Sequence, residues 1–106
     1  MRSESKDPRA ALAALRADVD RINARLVSVL QQRARLVARI ARLKRRANLP
    51  IVDVARERAM LRAALVGAGG GFSRPVLERI LRAVLTASRA LATRTATSRR
   101  APARRA

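Results

Sequence analysis

The sequence contains no cysteine, histidine, tryptophan or tyrosine, and its one aromatic residue is Phe72. Without cysteine there can be no disulfide, no thiolate metal site and no thiol nucleophile. The lack of histidine removes the most common general base and metal ligand. Because single-stranded nucleic acids are bound by base stacking on aromatic side chains, the composition also argues against that class of protein.

Acidic residues are scarce, since Lys and Arg number 25 against 7 Asp and Glu among 106 residues, a formal charge of +18. This excess predicts an anionic partner: nucleic acid, acidic lipid or a small polyanion. No apolar run approaches the length of a membrane span, and no signal-peptide core is present, so a soluble cytoplasmic protein is expected.

The longest predicted element is a helix that Asp7 caps, with Pro8 in its first turn. No glycine or further proline interrupts the sequence up to about Ala47, which predicts a helix about 60 Å long. The segment Asn48-Leu49-Pro50 ends it.

Two shorter helices follow. Asp53 caps the second helix, which runs to about Val66 and turns Val54, Met60, Leu61 and Leu65 inwards. Glycines at 67 and 69–71 form a flexible segment that separates the second helix from the third. Ser73 caps the third helix, with Pro75 in its first turn. The apolar positions of that helix are Leu77, Leu81, Val84 and Leu91, with Ser88 on the same face.

The sequence therefore predicts an all-α fold with one very long, one short and one medium helix. A flexible N-terminus over residues 1–8, a helical domain over 9–92 and a basic, disordered tail over 93–106 are expected. The long helix carries more apolar surface than two shorter helices can cover, which favours a homodimer with paired long helices.

Arg33 interrupts the apolar stripe of the long helix. The stripe steps by three or four residues through Leu12, Leu15, Val19, Ile22, Leu26, Val29, Leu36, Ile40 and Leu43, and Arg33 falls where the next apolar residue is due. A charge on a core face is costly unless an anion meets it. No acidic residue lies within a turn of Arg33, so another chain or a ligand must supply the anion.

Lys44 follows Arg33 by eleven residues, or three turns, and so shares its face. Arg16 lies about 25 Å earlier and roughly 100° around the helix. Arg16 therefore cannot reach the same small ligand within one chain, but in an antiparallel dimer it could approach Arg33 and Lys44 of the other subunit.

The start of the second helix carries Asp53, Arg56 and Glu57. The two carboxylates are one turn apart and can face one side. The ordinary interpretation is that Asp53 is an N-cap and Glu57 a first-turn acid favoured by the helix dipole. Ser88 can likewise be a small spacer on a helix face.

Taken together, these positions resemble the all-helical chorismate mutases over roughly residues 9–92. Arg33 and Lys44 lie at the family's spacing ahead of a segment, residues 50–57, that reads Pro-Ile-Val-Asp-Val-Ala-Arg-Glu, and Ser88 follows at the family's spacing. Earlier positions that contribute are Leu15, Arg16, Val19, Asp20, Ile22, Leu26 and Leu30.

The resemblance implies an intertwined three-helix dimer with two shared sites, which converts chorismate to prephenate by an intramolecular [3,3] rearrangement without metal or cofactor. Arg16 of the neighbouring subunit and Arg33 would each bind a substrate carboxylate, helped by Arg56 and Ser88. Lys44 would donate to the ether oxygen of the breaking bond. Asp53 and Glu57 would hold the substituent at ring position 4.

Ala92 departs from the family's pattern, which has Gln or Glu four residues after the serine as a second donor to the ether oxygen. Lys44 would then act alone, or Thr93 or Arg89 would supply the donor. Alternatively the substrate is 4-amino-4-deoxychorismate, whose ammonium suits Glu57 and Asp53, or isochorismate, from which related folds eliminate pyruvate. The pathway would be aromatic amino acid synthesis or, for the aminated substrate, antibiotic synthesis.

Two hypotheses without catalysis remain open. The charge and the Arg-rich tail would suit a basic helical nucleic-acid-binding protein, whose DNA affinity should depend steeply on salt. This hypothesis leaves Asp53 and Glu57 unexplained. Ala92 would also suit a structural or regulatory descendant of the mutase fold.

Overall fold

The computed structural model describes residues 7–97, which form three α-helices and no strand. The helices are α1 (Pro8–Arg46), α2 (Val54–Leu65) and α3 (Arg74–Thr97). The predicted all-α class, with one long, one short and one medium helix, is confirmed.

The first turn of α1 is held as the sequence predicts. The carboxylate of Asp7 accepts a hydrogen bond from the backbone N–H of Arg9 at 3.0 Å, and its carbonyl accepts from Ala11 at 3.1 Å. Pro8 occupies the first helical position, where its missing N–H costs no hydrogen bond. The side chain of Asp7 thus satisfies a donor that the helix itself leaves open.

Asn48 ends α1 by adopting the left-handed conformation, with φ of 59°. The N–H of Leu49 donates to the carbonyl of Lys44 at 2.8 Å, and that of Asn48 donates to Arg45 at 3.2 Å. These two bonds form a Schellman motif, which satisfies carbonyls in the last turn. Apart from glycine, asparagine is among the residues that tolerate this conformation best.

α2 begins at its predicted cap and buries Leu61 and Leu65, which are 8% and 3% exposed. Met60 is half-buried. The expectation that Val54 also turns inwards is wrong, because Val54 is 49% exposed. It occupies the first position of α2, and the described part of the chain leaves that end of the helix uncovered.

α3 starts after Ser73, whose hydroxyl accepts from the N–H of Val76 at 3.4 Å. It ends at Thr97, five residues beyond the expected end at 92. Residues 93–97 contain no glycine or proline, and the Thr97 hydroxyl donates to the Arg94 carbonyl at 3.2 Å. The remainder of the predicted tail, 98–106, and residues 1–6 lie outside the described residues.

The chain divides into two units, Met1–Arg33 and Ala34–Ala106. The described residues of the first unit are the N-terminal part of α1. In the second unit α2 packs against α3, and the five apolar-face positions of α3 predicted from sequence are half-buried. The buried apolar residues among 7–97 are Ala41, Leu61 and Leu65.

The apolar stripe of α1 is exposed within the single chain. Each of its members is about half exposed, for example Val19 at 56% and Ile40 at 51%. The other members are Leu12, Leu15, Ile22, Leu26, Val29, Leu36 and Leu43. Among residues 7–97, no helix has the length and hydropathy needed to cross a membrane.

We predict that Asn48→Val lowers the free energy of unfolding by about 1–2 kcal/mol, because a β-branched residue is strained at positive φ. Urea denaturation measures the change. The matched control is Asn23→Val in the middle of α1, where asparagine and valine have similar helix propensities. Equal losses at the two positions would show that the left-handed residue does not limit stability.

Candidate active site

The predicted site residues fall in both units. Arg16, which is exposed, and Arg33, which is half-buried, lie on α1 in the first unit. The others lie in the second unit: Lys44 on the last turns of α1, Asp53 at the cap of α2, Arg56 and Glu57 in its first turn, and Ser88 and Ala92 on α3.

Lys44 ties the end of α1 to the segment that leads into α2. Its Nζ donates to the carbonyl of Ile51 at 3.2 Å, and the side chain is half-buried. A protonated amine has three donors, so this bond leaves two N–H groups for an anion or an ether oxygen. Lysine is rare in this sequence: among its 25 lysines and arginines, Lys6 is the only other lysine.

Asp53 is an N-cap, as its ordinary interpretation predicts. Its backbone is extended, with φ of −132° and ψ of 96°, and its carboxylate accepts from the N–H of Arg56 at 3.0 Å. The cap fixes where α2 begins and hence where Arg56 and Glu57 project. The Arg56 side chain is exposed, which leaves its guanidinium accessible to an anion.

Glu57 is bound by Arg89 across the interface between α2 and α3. Nη2 of Arg89 donates to Oε1 of Glu57 at 2.6 Å, and Nε donates to Oε2 at 3.4 Å. The hydrogen bond that Arg89 donates to Glu57, and secondarily the negative charge of Glu57, raises the pKa of Arg89 above its ordinary value. The two residues are 32 positions apart, so no periodicity within either helix pairs them.

Ser88 and Ala92 lie one turn apart on α3, and both are half-buried. The Ser88 hydroxyl donates to the carbonyl of Val84 at 2.8 Å. Ala92 presents a methyl group where a donor would be needed. Of the two side chains expected as substitutes, Arg89 contacts Glu57, and Thr93 is exposed.

The clefts formed by residues 34–97 of the second unit include two. One, of about 440 Å³, lies between residues 48–51 and Ala96, and the other, of about 180 Å³, lies between α2 and α3. Neither is lined by Lys44, Glu57 or Ser88. These three side chains are instead half-buried and partly open to solvent.

The side chains available to a ligand are cations, carboxylates and a hydroxyl. Within residues 7–97 no group of three or more histidine, cysteine or carboxylate side chains is placed to hold a metal ion. Lys44 and Arg56 can bind anionic oxygens, while Glu57 can accept a hydrogen bond from a hydroxyl. Such a set of side chains can bind and orient a small anion.

Comparison with known proteins identifies a family. The model of the family described as chorismate mutase type II matches residues 15–93. This range includes all eight predicted site residues, from Arg16 to Ala92.

One relative and two solved structures illustrate the similarity of this chain to known proteins. A bifunctional chorismate mutase/prephenate dehydratase from Aquifex aeolicus (strain VF5) is 38% identical over 80 residues, which cover 72% of this chain and 22% of the relative. The chain thus spans about a fifth of that relative's length. Two solved structures of chorismate mutase from Thermus thermophilus are each 34% identical to the chain.

The Form II structure superposes with a TM-score of 0.76, and the aligned region covers 78% of this chain and 94% of the Form II chain. The Form I structure gives a TM-score of 0.71, with coverage of 73% and 96%. Nearly the whole of each solved chain therefore has a counterpart here.

We predict that Asp53→Ala lowers the free energy of unfolding by about 1 kcal/mol through loss of the α2 cap, and that Asp53→Ser restores most of it. Urea denaturation measures both. Asp20→Ala in the middle of α1 is the control and should change stability by less than about 0.5 kcal/mol. If serine were no better than alanine at position 53, the capping role would be wrong.

Proposed function

The chain belongs to the chorismate mutase type II family, and from this premise we propose that it catalyses the intramolecular [3,3] rearrangement of chorismate to prephenate. The observation that carries the proposal is that the family match, over residues 15–93, includes every predicted site residue. Apart from Ala92, the residues at those positions also have charged or polar side chains of the kind that the reaction requires.

The rearrangement breaks a carbon–oxygen bond and forms a carbon–carbon bond within one molecule, so it needs no nucleophile, metal or cofactor. It needs the flexible substrate held in its compact reactive conformation. It also needs positive charge where negative charge grows on the ether oxygen. A cationic site in a chain without histidine or cysteine suits this task.

Lys44 is proposed to donate to the ether oxygen. Its ammonium is anchored by the carbonyl of Ile51 at 3.2 Å, which restricts the side chain before substrate binds. A donor that is already oriented stabilises the transition state more than one that must reorganise during the reaction. The hydrogen bond to Ile51 also links the position of Lys44 to the segment that leads into α2.

Arginines are proposed to hold the two substrate carboxylates. Arg33 would bind one of them, with Arg56 and Ser88 assisting, and Arg16 of a second subunit would bind the other. Arginine suits this role because its planar fork matches a carboxylate.

A homodimer with sites shared between subunits is part of this proposal. Its support is the row of half-exposed apolar side chains along α1, from Leu12 at 45% exposure to Leu43 at 57%. A second copy would remove this row from water, and burial of apolar area is the main driving force of association. An antiparallel arrangement would bring Arg16 of one subunit towards Arg33 and Lys44 of the other.

Glu57, together with Asp53, is proposed to hold the substituent at ring position 4. The support for this role is that Glu57 lies in the first turn of α2 and that its carboxylate is held by Arg89 of α3. The carboxylate of Asp53 is engaged in capping, so its backbone would contribute as well.

The alanine at position 92 is the observation that favours a second candidate reaction. Loss of one donor to the ether oxygen costs on the order of 2.7–4 kcal/mol in such a transition state, so Lys44 would act alone in a slow enzyme. The alternatives are the same rearrangement of 4-amino-4-deoxychorismate or pyruvate elimination from isochorismate. Incubating the protein with each of the three compounds and identifying the products distinguishes these reactions.

We predict that Lys44→Ala lowers kcat with chorismate by about 10²–10³-fold, because it removes the donor at the growing charge. The loss of chorismate absorbance measures the rate. Arg33→Ala should also abolish most turnover, whereas the control Arg42→Ala, an exposed position on the same helix, should stay close to wild type. Near-full activity of Lys44→Ala would overturn the proposed site.

We predict that the protein sediments as one species of twice its 11.6 kDa chain mass, and that Ile22→Arg converts it to a monomer. A charge in the middle of the apolar row would have to be desolvated on association. Ala24→Arg, two residues on and on the opposite side of the helix, is the control that should leave the dimer intact. A monomeric wild type would remove the basis for shared sites.

A further inference from the structure

The ion pair between Arg89 and Glu57 joins a proposed substrate-binding carboxylate to a residue that the proposed reaction does not use. Both guanidinium contacts are made by one side of the planar fork, at 2.6 Å and 3.4 Å, one to each carboxylate oxygen. Two parallel bonds fix the orientation of the carboxylate as well as its position.

A second arginine pair on α3 provides a comparison. Arg82 also donates twice to a carboxylate, that of Glu78, but both residues lie on one helix, four positions apart. The Glu78 side chain is 38% exposed, against 24% for Glu57. The ion pair of Glu57 with Arg89 is therefore better shielded from water than that of Glu78 with Arg82. Of these two pairs, the first links α2 to α3, whereas the second lies within α3.

The contact has a direct consequence for what Glu57 can bind. An ionised carboxylate has about four acceptor positions, and Arg89 occupies two of them, so Glu57 can still accept a hydrogen bond from a hydroxyl group. Its charge, however, is already balanced by a guanidinium within hydrogen-bonding distance. An ammonium group placed on the same carboxylate would gain little attraction and would be repelled by Arg89.

We propose that Arg89 is a positioning residue that orients the Glu57 carboxylate and balances its charge, so that the site prefers a substrate with a neutral hydroxyl at ring position 4 over one with an ammonium group there. This inference rests on the proposed function, since it concerns the substrate held by Glu57. It favours chorismate over its 4-amino-4-deoxy analogue as the substrate.

The test measures kcat and KM for chorismate and for 4-amino-4-deoxychorismate with the full-length protein. The variants are Arg89→Gln and Arg89→Met, which are neutral, and Arg89→Lys, which keeps the charge without the fork. Arg82→Gln is the matched control, because it removes the arginine of a carboxylate pair that lies within α3 and includes no proposed site residue. Since the Arg89 side chain is 47% exposed, neutral substitutions should leave the helices folded, as far-UV circular dichroism will show.

We expect wild type to have the higher kcat/KM for chorismate. In Arg89→Gln and Arg89→Met the ratio of kcat/KM for chorismate to that for the amino analogue should fall by about tenfold or more, the smallest effect typical of removing one nearby charge. Arg89→Lys should keep most of this ratio, because the positive charge at position 89 is retained. Its kcat with chorismate should fall, because lysine lacks the fork that orients the Glu57 carboxylate. Arg82→Gln should keep the wild-type ratio.

Three results would overturn the inference. If Arg89→Gln and Arg89→Met kept the wild-type ratio, Arg89 would be only a brace between α2 and α3. If wild type preferred the amino analogue, the charge of Glu57 would be available in spite of Arg89. If wild type converted neither compound, the proposed function itself would fail, an outcome distinguished from the first two by the absence of any turnover.

Discussion

The long helix carries a row of apolar side chains that the described part of its own chain does not cover. The buried apolar residues among 7–97 are only Ala41, Leu61 and Leu65, which is little for a helical domain. Apolar burial is the main favourable contribution to folding, so the stability of this fold depends on what covers α1. The proposal of a homodimer follows from this constraint, and so does the proposal that each site takes side chains from two subunits.

The exposed apolar row also bears on the function proposed for two cations of α1, Arg33 and Lys44. In the proposed reaction, Arg33 would bind one carboxylate of a dianionic substrate, for which its planar guanidinium is suited. Fold and catalysis would then use the same surface, because the face proposed to pair two subunits also carries Arg33 and Lys44. The proposed rearrangement is promoted by confinement of the substrate and by positive charge. A surface that carries arginine and lysine side chains can supply both.

Much of the local structure can be predicted because its causes are local. Asp7, Asp53 and Ser73 cap the three helices as their sequence contexts indicate. The predicted end of α1 lies within two residues of the observed one, but a helix-ending pattern does not specify the left-handed backbone of Asn48. The extension of α3 to Thr97 is not predicted, because the apolar periodicity weakens there while alanine and arginine can still continue a helix.

The sequence by itself determined the helices, the apolar row on α1 and the family to which the chain belongs, because caps, periodicity and motif spacing act over a few residues. Only the tertiary structure decided which charges meet between helices. The pairing of Glu57 with Arg89 depends on how α2 packs against α3, and spacing along either helix carries no information about the other. For that reason the sequence left open a substrate whose ammonium group Glu57 would bind, whereas in the folded chain a guanidinium already balances the charge of Glu57.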